Sequence, residues 1–124
     1  EWTLSENNID LMILCLGAND MLRGINPKET KNNLIEIIKI AKNKNIKVII
    51  AGMIAPTSHG SNYKKSFDKI FEDLSNEYEL QLIPFLLEGV AQKPEFNLSD
   101  GMHPNDKGTI IIGKTLKEAI LKNL

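Results

Sequence analysis

Two short stretches of this 124-residue chain hold residue types whose spacing suits proton transfer and oxyanion stabilisation. In Asp100-Gly101-Met102-His103-Pro104-Asn105, a three-residue separation on a compact loop lets the Asp100 carboxylate reach one ring nitrogen of His103. Such a contact fixes the tautomer and supports the imidazolium, and it leaves the second nitrogen for proton transfer. Gly101 permits the tight turn, and Pro104 biases His103 toward an extended backbone. In Gly17-Ala18-Asn19-Asp20, Gly17 lets a ligand approach the backbone and Asn19 can aim a side-chain N–H at a developing oxyanion, with Asp20 capping the turn that follows. Taken singly, each stretch is also an ordinary polar turn or helix cap.

The surrounding pattern predicts what positions these loops. Residues 11–16 are continuously apolar and stop at Gly17, which suits a strand buried on both faces. Asn26-Pro27-Lys28-Glu29 reads as a helix start, with Leu34, Ile37, Ile38 and Ala41 at helical spacing after it. Residues 46–50, with Val48-Ile49-Ile50, predict a second buried strand, followed by a loop over 55–60. Tyr63, Phe67, Ile70, Phe71, Leu74 and Tyr78 trace one face of a helix and read as core. Residues 80–83 fit a third strand ended by Pro84. After an irregular stretch over 85–99, Asn105 caps a final helix whose apolar face is Thr109, Ile112, Leu116, Ala119 and Ile120. Strands alternating with helices imply right-handed crossovers and a three-layer, flavodoxin-like α/β fold, a parallel sheet of about three strands covered by helices on both faces. Ligands in such sheets bind outside the carboxyl ends of the strands, where the Gly17–Asp20 stretch falls.

Composition narrows the function classes. Fifteen basic and sixteen acidic residues give a net charge of -1, with no electrostatic drive toward nucleic acid or an anionic membrane surface. No apolar run is long enough to span a bilayer, so stable membrane anchoring is not expected. Two histidines without metal-ligand spacing argue against a metal site, and Cys15, inside an apolar run, reads as a small buried hydrophobe. The expected organisation is one domain over residues 1–124. Because Glu1 rather than Met opens the chain, a targeting segment could lie upstream, and a signal peptide there would allow a periplasmic or secreted location; the residues themselves leave localisation open.

The two stretches together resemble a known family. Leu14-Cys15-Leu16-Gly17-Ala18-Asn19-Asp20-Met21-Leu22-Arg23-Gly24 is similar to the third signature of the SGNH (GDSL-type) hydrolases, and Ser99-Asp100-Gly101-Met102-His103-Pro104-Asn105 to their fifth. Ala55-Pro56 with Gly60 and Tyr63, and then Ile83-Pro84-Phe85, resemble the thioesterase I and arylesterase branch. The resemblance implies hydrolysis of small acyl esters or thioesters through an acyl-enzyme, without metal or organic cofactor. It implies His103 as general base, Asp100 as the acid that orients it, Asn19 as an oxyanion donor and Gly17 beside it, while His59 is expected to line the substrate pocket.

The departure from the pattern is equally specific. The family's Gly-Asp-Ser-Leu nucleophile motif and its second oxyanion glycine are absent. Ser5, Ser58, Ser61, Ser66, Ser75 and Ser99 read as cap, loop or helix-surface residues. The chain is therefore expected to be the C-terminal portion of the fold, partnered by a missing N-terminal segment and inactive alone, with an unpaired strand edge. The alternative is a non-catalytic α/β binding or interaction domain in which both loops are simple turns.

Overall fold

The computed structural model describes Leu4 and residues 8–123; Ser5 lies outside the described residues. The chain forms two compact units, the first running to Pro84 and the second from Phe85 onward.

In the first unit, β1 (Leu11–Leu14), β2 (Lys47–Ala51) and β3 (Gln81–Ile83) form a parallel sheet in the order β1-β2-β3. Leu14 is paired with Ile50 and Ile50 with Leu82, so the three strands finish at one level and the loops that follow them leave from one edge. Parallel pairing requires long crossovers, which are supplied by α2 (Pro27–Asn43), preceded by the short α1 (Ala18–Arg23), and by α3 (Ser61–Tyr78). The Asn26 side chain accepts from the Lys28 amide at 3.0 Å and Pro27 opens α2, as the sequence predicts. Ile49 and Ile50 of the central strand are wholly buried, with Ile38 and Ala41 of α2 and Phe67 and Leu74 of α3. These β-branched and aromatic side chains form the core of this unit. At the end of β2 the Gly52 amide donates to the Ile83 carbonyl at 2.7 Å. A Cβ there would stand 2.3 Å from the Pro84 carbonyl oxygen, so only glycine lets the chain leave the sheet at this point.

The second unit is built on side-chain to backbone bonds. Asn97 is buried and its Nδ2 donates to the carbonyls of Val90 and Lys93, both at 2.8 Å, closing the turns that precede it. A 3-10 turn over Pro94–Phe96 and an antiparallel bridge between Asn97 and Pro104 fill the stretch expected to be irregular. Asn105 then caps α4 (Asp106–Leu121), accepting from the Lys107 and Gly108 amides at 3.0 and 3.1 Å while its own amide reaches the Glu95 and Asn97 carbonyls.

Four expectations need correction. The run over 11–16 is a strand only to Leu14, and only Leu14 of β1 is buried, because β1 is the edge of the sheet. Cys15 is accordingly exposed rather than buried, and Leu16 is 53% exposed. The stretch after Gly17, read as a turn, is a six-residue helix bounded by two left-handed glycines, Gly17 and Gly24. On α4 the expected face holds for Ala119, which is buried, and for Ile112, Leu116 and Ile120, which are half-buried, but Thr109 is exposed and Gly108 is the buried residue of the first turn.

Two glycines of α4 provide a test of that packing. A Cβ on Gly108 would meet the Phe96 carbonyl oxygen at 2.2 Å, whereas one on Gly113 would meet nothing within 4 Å. Gly108→Ala is expected to lower unfolding free energy by about 1–3 kcal/mol through overpacking. Gly113→Ala is expected to raise it by about 0.5–1 kcal/mol through helix propensity. Urea titrations of the two variants check both signs.

Candidate active site

The loop after β1 leaves the carboxyl edge of the sheet and turns at Gly17, whose φ of 114° and ψ of -16° no L side chain adopts without strain. Its carbonyl accepts from the Met21 amide at 2.9 Å and so starts α1. Asn19, in the first turn, is exposed, and its side-chain amide has no hydrogen-bond partner among the described residues. Both amide protons are available to a ligand. Gly17 and Asn19 line an open cavity of about 360 Å³ together with Cys15, Leu16, Thr30 and Asn33, among others.

Asp20 does not cap the turn as expected. Its Oδ2 accepts from the hydroxyl of Thr30, a side chain only 1% exposed, at 2.9 Å, which ties α1 to the first turns of α2. The end of α1 is held by other groups: Tyr63 donates its hydroxyl to the Ile25 carbonyl at 3.0 Å, and His59 lays its ring against Gly24. His59 is therefore placed beside the end of α1, with Nε2 3.4 Å from the Leu22 carbonyl, and is not among the residues lining the cavity. Cys15 is accessible, yet desolvation by its surroundings pushes the thiol upward, which keeps it protonated and a poor nucleophile.

In the second unit the 98–103 loop closes on itself. The Leu98 amide donates to the His103 carbonyl at 2.7 Å, the Gly101 amide donates to the Leu98 carbonyl at 3.0 Å, and Gly101 has a φ of 70°. Asp100 sits at the centre of this turn. Its Oδ1 accepts from the Met102 and His103 amides at 2.8 and 2.9 Å, and its Oδ2 lies 2.7 Å from His103 Nδ1. Bonds from the His103 backbone and ring and from the Met102 amide hold the Asp100 carboxyl down at about 2. The bond at Nδ1 assigns the ring proton there, so Nε2 of the neutral ring is the basic nitrogen. The ring is 71% exposed and Nε2 has no hydrogen-bond partner among the described residues. A second open cavity of about 350 Å³ adjoins this loop, lined by Gln92, Lys93, Asn97, Leu98, Ser99 and Gly101, with Pro94.

Of the residues marked in the sequence, Asp100 and His103 are joined by a direct bond, and Gly17 and Asn19 share one cavity wall. Thr30 and Tyr63 were missed as holders of the Asn19 turn. Thr30 had only its position in a crossover helix as a signal, and Tyr63 its place in a core stripe and in the family resemblance; neither pointed to α1, because the groups they bind are distant in the chain.

Parallel strands joined by helical crossovers make the first unit an α/β fold, in which ligands characteristically bind outside the strand ends. The chain belongs to the GDSL-like lipase/acylhydrolase family, whose sequence profile matches residues 2–109. An arylesterase from Vibrio mimicus is 34% identical over 121 residues, covering 98% of this chain and 60% of that protein. The thioesterase 1/protease 1/lysophospholipase L1 of Escherichia coli (strain K12) is 36% identical over 90 residues, covering 73% of this chain and 43% of that protein. The crystal structure of TesA is similar with a TM-score of 0.91 and 27% identity, covering 99% of this chain and 68% of that one. The chain thus spans less than two thirds of the length of both curated relatives.

The Asp100 clamp has a direct signature. A carboxyl depressed in the folded state supports the loop fully above its ordinary value of 3.8, and that support is lost as pH falls through about 2. The Asp100 carboxyl carbon, followed by NMR in the folded protein, is expected to titrate near 2. A midpoint at the ordinary value would show that the three N–H bonds to this carboxylate are not made.

Proposed function

We propose that this chain provides the acid–base pair and one oxyanion donor of a serine ester hydrolase acting on small acyl esters or thioesters. The nucleophilic serine, in this reading, comes from an N-terminal segment of the same fold that the sequence does not contain. The observation that carries the reading is the 2.7 Å contact between Asp100 and His103 Nδ1, made by a carboxylate that also accepts both backbone amides of its own loop.

In the reaction, His103 Nε2 takes the hydroxyl proton as serine attacks the acyl carbon. The imidazolium so formed keeps its Nδ1–H on Asp100, which stabilises the positive charge without taking the proton. As the tetrahedral intermediate forms, its oxyanion accepts from the Asn19 side chain, while Gly17 lets the acyl group approach the backbone. Collapse breaks the bond to the leaving alcohol or thiol, which receives the proton from His103. Water, deprotonated by the same nitrogen, then attacks the acyl-serine and releases the acid. These side chains handle every proton and charge, so the scheme calls for no cofactor. His59 acts on substrate only indirectly, since it packs on Gly24.

The relatives support the class: one carries the name arylesterase, another thioesterase 1/protease 1/lysophospholipase L1. The position of β1 at the sheet edge and the exposed Leu16 beyond it leave room for a further strand with its loop at that side.

In the full-length protein assayed with a p-nitrophenyl ester, Asn19→Ala is expected to lower kcat about 100- to 1,000-fold with KM little changed. His103→Ala is expected to lower it by about 10,000-fold or more. Wild-type kcat in either variant removes that residue from the scheme. The 124-residue chain alone is expected to show only background turnover, and turnover by it that His103→Ala abolishes would place the nucleophile within these residues.

A further inference from the structure

Helix α1 carries Asn19 yet contributes no buried residue to the core. Six residues of isolated helix are far below the length that holds itself in water, so the orientation of the Asn19 amide must be fixed by groups outside α1. Those groups form a series. His59, Tyr63, Phe67 and Phe71 recur every four residues, from the 3-10 turn Thr57–His59 along one face of α3. Their rings touch in sequence: His59 to Tyr63 with centroids 5.1 Å apart, Tyr63 to Phe67 stacked at 6.0 Å, and Phe67 to Phe71 edge-on at 5.7 Å.

The two ends of this ladder meet the two ends of α1. At the start, the space where a Gly17 Cβ would sit is 3.5 Å from Phe67 and 3.7 Å from Phe71. At the finish, the corresponding point on Gly24 is 3.1 Å from the His59 ring, and Tyr63 bonds the Ile25 carbonyl at 3.0 Å. Phe67 and Phe71 are buried and would be needed for the core in any case. Tyr63 is only half-buried and His59 is exposed, so filling the core does not account for them. Their polar atoms address the carbonyls of Ile25 and Leu22, at the end of α1 and nowhere else among the described residues. Desolvation, and then the negative charge of Asp20, push the Tyr63 hydroxyl upward, so it remains a donor at neutral pH.

We infer that Tyr63, backed by His59 on Gly24, is a positioning residue that clamps the C-terminal end of α1 and thereby holds the Asn19 amide on the oxyanion. This rests on the role proposed above for Asn19, and it assigns to Tyr63 a function that its place in an apolar helical stripe conceals. Tyr63 touches no reacting atom. Its effect passes through the backbone of residues 19–25.

A double-mutant cycle in the full-length protein tests the clamp. Tyr63→Phe keeps the ring stack and removes only the donor, and it should lower kcat on the order of 10-fold while leaving KM within about twofold. On an Asn19→Ala background the same change should lower kcat no further, because the group it positions is gone. Losses that multiply in the double variant, or an unchanged kcat in Tyr63→Phe when Asn19→Ala is impaired, would overturn the inference. If Asn19→Ala itself keeps wild-type kcat, the oxyanion reading is what fails, and amide hydrogen exchange then judges the clamp alone. Faster exchange at Met21, Gly24 and Ile25 in Tyr63→Phe supports it; unaltered exchange there overturns it. His59→Phe, which preserves the ring on Gly24, should retain more of the wild-type kcat than His59→Ala, and equal losses would count against the backing role.

Discussion

An ionised carboxylate inside a turn of its own making governs the loop that carries His103. Asp100 is two residues from one amide donor and three from another, and the imidazole is its third donor. Each bond favours the charged carboxylate, and the charged carboxylate strengthens each bond, so the backbone of the turn and the tautomer of the ring are set by the same group. The histidine needs no pocket for this. It remains largely exposed, and Nε2 is left as the basic position. Everything downstream in the proposed chemistry, from proton removal to protonation of the leaving group, uses that one nitrogen.

The fold was legible where a single residue type settles a local question. Asn26 with Pro27 at the start of α2 and Asn105 at the start of α4 cap as the sequence predicts, since a cap needs only a side-chain oxygen within reach of the next amides. The β-branched run of β2 is buried as expected because it is the middle strand. The same inference failed for 11–16. Apolar continuity reports the burial a strand is suited to, while the burial it receives depends on how many neighbours the sheet provides, and β1 is an edge. Cys15 and Leu16 were misplaced for that reason. The short α1 was missed on other grounds: six residues flanked by glycines carry no periodicity to read, and the helix exists through contacts from α2 and α3.

The candidate site divides along the same line. Asp100 and His103 are three residues apart and bond to each other, so their relation could be derived from spacing alone. Asn19 could be named from its place after a strand, but what holds it could not, because Thr30 binds Asp20 across ten residues and Tyr63 binds Ile25 across thirty-eight. An i, i+4 series of rings on α3 gave a strong signal for core and no signal for α1. The chemical identity of a residue was readable at both loops; the means of support was readable only where it was local.

That difference has a physical consequence for how each loop tolerates change. The His103 loop carries its own constraints, so its geometry is buffered against repacking elsewhere as long as Asp100 stays charged. The Asn19 turn borrows its constraints from two crossover helices, through side chains that also help pack the first unit, Phe67 and Thr30 among them. The ring series that runs into α3 stands against Gly17 at one end of α1 and Gly24 at the other, so it meets both ends of the segment. In the proposed scheme, an oxyanion donor at Asn19 gains from this arrangement. The strength of such a bond depends on distance and alignment at one atom, and a support that grips both ends of the segment restrains both.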